Sequence, residues 1–280
     1  MNEFLPENIR SAVNALGINN IYEIRLRKDK PVYVNFKNNY IKLLSGGREI
    51  TTGEELLEKI VLSVCDFSVY RSDEHIKQGF ITSNEGERIG ICGEYVYDCG
   101  KLVTIKNFTS LNIRIPHEIR GSAENIYNKL FSGNIPNVLI VSEPGRGKTT
   151  VLRDLTRLIS ERKKLNVLCV DERNEISAGG KFDLGETTDV MTYAEKKTGF
   201  TEGVRNLKPD VLITDELMNE NDVSGIILAA LSGVKVVATA HSDSTDKLKK
   251  KEMFQKIFSN GIFDYSVTLG KDFNQEIIKL

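Results

Sequence analysis

The sequence predicts an α/β protein, a mostly parallel sheet buried on both faces, preceded by a smaller α+β region. Three observations carry that prediction. Continuous apolar runs at 138–141, 167–170, 211–213 and 234–238 alternate with longer helical segments, as expected of parallel strands covered on both sides. Before residue 116 the apolar side chains instead recur at every second position over several short stretches, the period of half-buried strands. A glycine-rich turn, Ser-Glu-Pro-Gly-Arg-Gly-Lys-Thr-Thr at 142–150, lies between the first continuous run and a helix-like segment.

Taken in order, Leu5, Ile9, Val13 and Leu16 recur at helical spacing, with Pro6 suited to a first turn and Gly17 to a stop. Tyr22, Ile24 and Leu26 then alternate with Glu23, Arg25 and Arg27, and Val32, Val34 and Phe36 repeat the pattern, giving two strands split by Pro31. Thr52 and Glu55 can form a capping box for a helix whose apolar face is Leu56, Leu57, Ile60, Val61 and Val64. Strand alternation returns from Gly79 to Ile115, punctuated by Gly86, Gly93 and Gly100. The stretch 116–121 reads as a boundary, and Ser122 opens a helix along Ala123, Ile126 and Leu130. The expected division is an α+β domain over 1–115 and an α/β domain over 116–280.

At 280 residues and 40% hydrophobic composition the chain can bury a sizeable core and is long enough for two domains. Its net charge of -1 supplies no global field for nucleic acid or an anionic bilayer. Cys65, Cys92, Cys99 and Cys169 form no C-x-x-C pair and none neighbours a histidine at ligand spacing, which argues against structural zinc. They read as reduced core thiols of a cytosolic protein. The N-terminal Met1-Asn2-Glu3-Phe4-Leu5-Pro6-Glu7 lacks the basic-then-apolar order of a signal peptide. No apolar run approaches the roughly 18 residues needed to span a bilayer, so a role at a membrane requires docking onto another protein. The lysines at 247 and 249–251 read as a solvated helix face in preference to a patch for an anionic partner.

The turn at 142–150 matches a P-loop in its context of strand, glycine-rich loop and helix. Pro144, Gly145, Arg146, Gly147, Lys148, Thr149 and Thr150 are the expected phosphate-binding residues. Backbone N–H groups and the helix N-terminus attract the anion, Lys148 supplies a cation, and the Thr149 hydroxyl is available to Mg²⁺. Ser142 stands where the pattern has its leading glycine.

Hydrolysis also needs acids, and two of the apolar runs end in them: Asp171-Glu172 and Asp215-Glu216. Strand carboxyl ends converge on the ligand crevice of such a sheet. Asp215 is the expected Mg²⁺ holder, Glu216 the group that orients or deprotonates water, and Asp171 with Glu172 a second acidic rim. The strand-end alternative for either pair is a carboxylate that caps the following turn. His241, ending the run Val236-Val237-Ala238-Thr239-Ala240, can sense the terminal phosphate or serve as a structural hydrogen-bonding residue. Arg205 can reach phosphate or form a surface ion pair.

Four stretches in this order resemble the boxes of the type II and type IV secretion ATPases. They are 142–150, Val-Asp-Glu-Arg-Asn-Glu-Ile at 170–176, Val-Arg-Asn-Leu-Lys-Pro-Asp-Val-Leu-Ile-Thr-Asp-Glu at 204–216, and Ala-Thr-Ala-His-Ser at 238–242. They correspond to the Walker A, Asp, Walker B and His boxes. Glu-Ile-Arg-Leu-Arg at 23–27, 86–93 and 110–115 extend the resemblance, specifically to the sporulation stage III AA family, over nearly the whole chain. It implies a RecA/AAA-like P-loop NTPase domain and Mg²⁺-dependent ATP hydrolysis. It further implies a cytoplasmic homohexamer and partners in a membrane-embedded secretion or channel complex, such as that between mother cell and forespore. It also implies that Arg88 and Arg114 reach the phosphates. Asp171-Glu172 does not register cleanly on the Glu-Asp box of the secretion ATPases, so the water-activating acid stays open. The rival functions are a nucleotide-gated assembly scaffold with negligible turnover and a nucleic-acid motor. The near-neutral charge and the lack of a basic stripe interleaved with aromatics oppose the motor.

Overall fold

The computed structural model describes residues 4–65, 76–77, 79–83, 86–270 and 274–280. Met1, Asn2 and Glu3 of the stretch read for a signal peptide lie outside them, as do residues 84–85 of the strand-rich region. The chain divides into two compact units, Met1–His117 with Ala178–Lys181, and Glu118–Ser177 with Phe182–Leu280.

In the first unit, helix α1 (Glu7–Leu16) follows Pro6 and ends at Gly17, whose φ of 80° disfavours any side chain. Strands β1 (Ile21–Arg27), β2 (Lys30–Pro31), β3 (Tyr33–Phe36) and β4 (Asn39–Lys42) come next. The short β5 (Leu44–Ser45), β6 (Arg48–Glu49) and β7 (Thr51–Thr52) lead to helix α2 (Glu54–Cys65). After β8 (Phe80–Thr82), the strands β9 (Arg88–Asp98) and β10 (Lys101–Arg114) form a long hairpin. The main sheet is antiparallel in the order β4-β3-β1-β10-β9-β8. One face buries Ile24, Leu26, Ile89, Leu111 and Ile113 with Ile9, Val13, Leu57 and Ile60 of the helices.

Tyr22 departs from the predicted alternation and is 43% exposed. A register shift between Ile21 and Glu23 in the β1–β3 pairing takes it off the apolar face, and its ring meets His117 edge-on at 4.9 Å. Tyr95 and Tyr97 are also exposed. They lie on the outer part of the β9–β10 hairpin, beyond the residues that pair with β1 and β8.

In the second unit, α3 (Glu124–Ile126) runs into a π-helical turn, Tyr127–Phe131. The order is then β11 (Val138–Ser142), α4 (Lys148–Lys163), β12 (Val167–Asp171), β13 (Thr188–Thr192), α5 (Lys196–Leu207), β14 (Val211–Thr214) and α6 (Glu220–Leu231). It ends with β15 (Lys235–His241), α7 (Thr245–Lys249), α8 (Glu252–Ser259), β16 (Tyr265–Leu269) and β17 (Gln275–Lys279). The sheet order is β13-β12-β14-β15-β11-β16-β17, parallel throughout except for the final antiparallel pair.

Alternate residues of the central strands feed two cores, which is why their sequences read as unbroken apolar runs. Val138, Ile140, Cys169, Ile213 and Val237 pack with Val151, Leu155 and Leu158 of α4. Leu139, Val141, Leu168, Val170 and Leu212 pack with Phe200, Val223, Ile226 and Phe254. The close seating of α5 on β12 depends on two small residues. A Cβ at Gly199 would lie 2.7 Å from Val170 Cγ1, and one at Gly203 2.3 Å from Leu168 Cδ2.

The core-thiol expectation holds for Cys169, whereas Cys92 and Cys99 are exposed and Cys65 is partly buried. Cys92 and Cys99 sit on or beside the long hairpin, whose outer part pairs with no other strand among the described residues. Among the described residues no disulfide joins any of the four cysteines. Among the described residues, no helix is long and apolar enough to cross a membrane.

Candidate active site

Strand register brings the predicted loop, histidine and strand-end acids to one edge of the second unit's sheet. Ser142 lies opposite His241, Val170 opposite Thr214, and Thr214 opposite Ala238. The parallel strands therefore deliver the glycine-rich loop, His241, Asp215-Glu216 and Asp171-Glu172 to the same carboxyl-end edge.

The loop leaves buried Ser142 and enters α4 at Lys148. Gly145 and Gly147 have φ of 76° and 82°, backbone that an L side chain would strain. Lys148 Nζ is within hydrogen-bonding distance of Ser142 O (3.1 Å), Ser142 Oγ (3.3 Å), Glu143 O (3.2 Å) and His241 Nδ1 (2.8 Å). The serine that stands in for the usual glycine thus contributes an acceptor to the lysine, and its hydroxyl donates to Glu143 O at 2.8 Å. Burial lowers the Lys148 pKa, an effect that Glu216 opposes.

An ammonium only donates, so His241 Nδ1 is an acceptor and the ring proton sits on Nε2. Nε2 meets Glu216 Oε1, and the other oxygen of Glu216 accepts from Arg173 NH1 at 2.7 Å. Lys148, His241, Glu216 and Arg173 form one continuous polar chain. Glu216 holds a left-handed backbone with φ of 41°, and its N–H donates to Thr239 Oγ1 at 2.7 Å.

The two strand-end aspartates differ sharply. Asp171 accepts from Glu175 N (2.8 Å), Ile176 N (3.1 Å), Ser177 N (2.8 Å) and Ser177 Oγ (2.9 Å). Arg153 of α4 fastens the same loop, donating to Ile176 O and Glu175 O, both at 2.8 Å, with its guanidinium 3.7 Å from the centre of the Phe182 ring. Asp215 is 3% exposed and its Oδ1 has no hydrogen-bond partner. Burial pushes its pKa up to about 7, with Lys196 opposing and Asp171, Glu175 and Glu216 reinforcing the rise.

An orphaned, buried carboxylate oxygen is costly without a cation or a donor. Asp215 and the hydroxyl of Thr149, in the first turn of α4, are oxygen donors of the kind that a hard divalent cation takes beside phosphate and water. The donor set fits Mg²⁺. Among the described residues no group of three or more His, Cys, Asp or Glu could hold a metal ion, and an Mg²⁺ held largely by phosphate and water needs none.

Of the two readings of Arg205, its exposed position agrees with a surface residue. Helix α5 runs antiparallel to the strand it precedes, so its last turn, with exposed Arg205, lies at the edge where β14 begins, opposite the acids. Arg88 and Arg114 belong to the first unit, where they are direct cross-strand partners on β9 and β10. Arg88 also lies 4.1 Å from the centre of the Phe80 ring.

Sequence reasoning did not single out Arg173, Thr239, Arg153 or Lys196. Arg173 and Thr239 were within reach, since both fall inside the box-like stretches. Lys196 carries no sequence signal.

The fold and the phosphate-loop edge define a protein of the P-loop NTPase, RecA/AAA-like fold. The ATPase DotB of Legionella pneumophila superposes with a TM-score of 0.65 at 14% identity, covering 100% of this chain and 81% of that one. The pilus retraction motor PilT, solved with bound ADP, gives 0.65 at 16% identity, covering 99% and 81%. Among curated proteins, the stage III sporulation protein AA of Bacillus subtilis (strain 168) is 30% identical over 281 residues, 96% of this chain and 90% of that protein. The family described as "Sporulation stage III, protein AA" matches residues 1–279. The chain belongs to the sporulation stage III protein AA family. The protein SEEDLING PLASTID DEVELOPMENT 1 of Arabidopsis thaliana is 31% identical over 167 residues, 58% of this chain and 24% of that protein.

Proposed function

We propose that this chain hydrolyses ATP with Mg²⁺ to drive or gate a membrane-embedded secretion or channel assembly, as between mother cell and forespore. In this reading it works in the cytoplasm as a homo-oligomer, a hexamer, with an α+β domain at 1–115 and a P-loop ATPase domain at 116–280. Membrane proteins are its partners, and the chain itself does not insert.

One observation carries the reading. The buried, unpartnered oxygen of Asp215 lies beside a polar chain that joins the P-loop lysine to Glu216 through His241. When bound, Mg²⁺ would neutralise charge developing on the phosphates. The 144–150 backbone and Lys148 bind and orient the triphosphate. Thr149 and Asp215 hold the cation, and Glu216 orients the attacking water and takes its proton. A terminal phosphate competes with His241 for Lys148, so its arrival frees the histidine and, through it, one oxygen of Glu216. Arg88 and Arg114 supply cations to the phosphates of their own or a neighbouring copy. Glu172 and Asp171 shape the acidic rim, with Asp171 holding the loop that follows it.

A cavity of about 620 Å³ includes Arg120, Ser122, Asn125 and Gln275 in its lining, and Ser122 Oγ lies 3.4 Å from Thr150 O. Its position beside the first turn of α4 suits the nucleoside end of the ligand.

The test is phosphate release and nucleotide affinity measured on one preparation. The parent should turn over ATP with Mg²⁺, and Lys148→Ala should lose affinity and turnover together. The scaffold reading gains support from Glu216, both of whose oxygens are engaged in this state. Nucleotide-dependent assembly with no phosphate release from the parent would establish the scaffold instead.

A further inference from the structure

Lys196 is the first residue of α5, and its side chain is 1% exposed. Taking an ammonium out of water is expensive unless it is paired and hydrogen-bonded. Here Nζ donates to the main-chain oxygen of Glu216 at 2.9 Å and lies 3.3 Å from Glu172 Oε2. Asp222 Oδ2 is 4.0 Å away, and that carboxylate is itself fixed by Met218 N at 2.8 Å. One buried cation therefore touches both strand-end acid pairs and the start of α6.

Its hydrogen bond to Glu216 falls on the main chain of a residue in left-handed backbone, which only glycine adopts freely. Thr239 pins the N–H of Glu216 and Lys196 pins its C=O. With both main-chain groups fixed, the direction of the Glu216 side chain is set. That direction brings the carboxylate to His241 and Arg173. The small residues Gly199 and Gly203 let α5 sit close on β12, which brings its N-terminus to the strand ends.

We propose that Lys196 is a positioning residue for ATP hydrolysis, holding the backbone of Glu216 in its left-handed conformation and setting Glu172 beside it. This rests on the ATPase reading above. Lys196 touches no P-loop residue through any of these bonds, so its removal leaves the phosphate cradle intact and acts on the acids at the strand ends.

The test compares the parent with Lys196→Met, a similar-length apolar side chain, by equilibrium binding of a fluorescent ATP analogue without Mg²⁺, so that only the phosphate cradle is read, and by single-turnover phosphate release with Mg²⁺. Affinity should stay within about threefold while the hydrolysis rate falls on the order of 30- to 300-fold. Adding Lys196→Met to Glu216→Gln should lower the rate by less than about threefold more, because residues that act as a unit are not additive. Thr239→Val removes the other pin and should give the same split, which keeps the inference testable if Lys196→Met does not fold. Hydrolysis by Lys196→Met within about threefold of an active parent would overturn the inference, as would equal losses of affinity and rate or a fully multiplicative double variant. If Lys196→Met does not fold, a Thr239→Val protein as active as the parent overturns it. A parent that releases no phosphate overturns the ATPase reading and this inference together.

Discussion

Two strands of the same sheet end in the same dipeptide, Asp-Glu, and the protein uses the two ends in opposite ways. At 171–172 the aspartate is saturated by amides and a hydroxyl of its own loop, and the glutamate reaches Lys196. At 215–216 the aspartate keeps a buried oxygen with no partner, and the glutamate is joined through His241 to the P-loop lysine. A carboxylate whose acceptor sites are filled at rest is a structural brace. One left empty at a buried site raises the free energy of the resting state and is suited to a ligand. The difference arises in the loop after each strand. After Asp171 the chain folds back so that the amides of residues 175–177 point at the carboxylate. After Asp215 the backbone turns left-handed at Glu216, and the next amides donate to Thr239 instead.

The contrast breaks most readily at Glu216. Glu216→Gln should reduce the hydrolysis rate by about 10²- to 10⁴-fold with nucleotide affinity nearly unchanged. An equal loss from Glu172→Gln would show that the two ends have been assigned the wrong way round.

Asp215 offers a pH test next in size. Its carboxyl ionises at about 7 in the fold against 3.8 for free aspartate, so between those values the folded chain binds a proton that the unfolded chain has released. Stability of the nucleotide-free protein therefore falls as pH rises through that window, by up to about 4 kcal/mol. Asp215→Asn should flatten this dependence in thermal melts taken from pH 5 to 8, raise the melting temperature at pH 8, and abolish the Mg²⁺-dependent activity.

Asp171→Ala should act as loss of a brace. Removing the acceptor for the loop amides is expected to cost about 3 kcal/mol of stability, read as a lower midpoint in urea. The fraction that remains folded should keep Mg²⁺-dependent nucleotide affinity. The smallest effect is expected from Glu172→Gln. Glu172 is partly open to water and pairs with Lys196 at 3.3 Å, so the rate should drop less than about tenfold.

Much of this is legible in the chain itself, because short-range rules and unbroken apolar patterns write it there. The runs at 138–141, 167–170, 211–213 and 234–238 supply the four central strands, and a helix follows the glycine-rich loop as expected. Strands β13, β16 and β17 are absent from the sequence reading. β13 and β17 lie at the sheet's edges, partly exposed, where the apolar signal is weak. Alternation alone puts Tyr22 on the wrong face, because a register shift depends on the partner strand.

The sequence by itself determined that a phosphate loop, two acidic strand ends and a histidine would share one protein, since spacing and strand polarity already direct them to one edge. Only the tertiary structure decided which acid is braced and which is left open. It also decided which way the Lys148–His241 bond orients the ring, and that a lysine with no motif around it is sealed beneath the acids. Each of those outcomes depends on which groups from distant segments fill a carboxylate's acceptor sites, and no local pattern of residues encodes that.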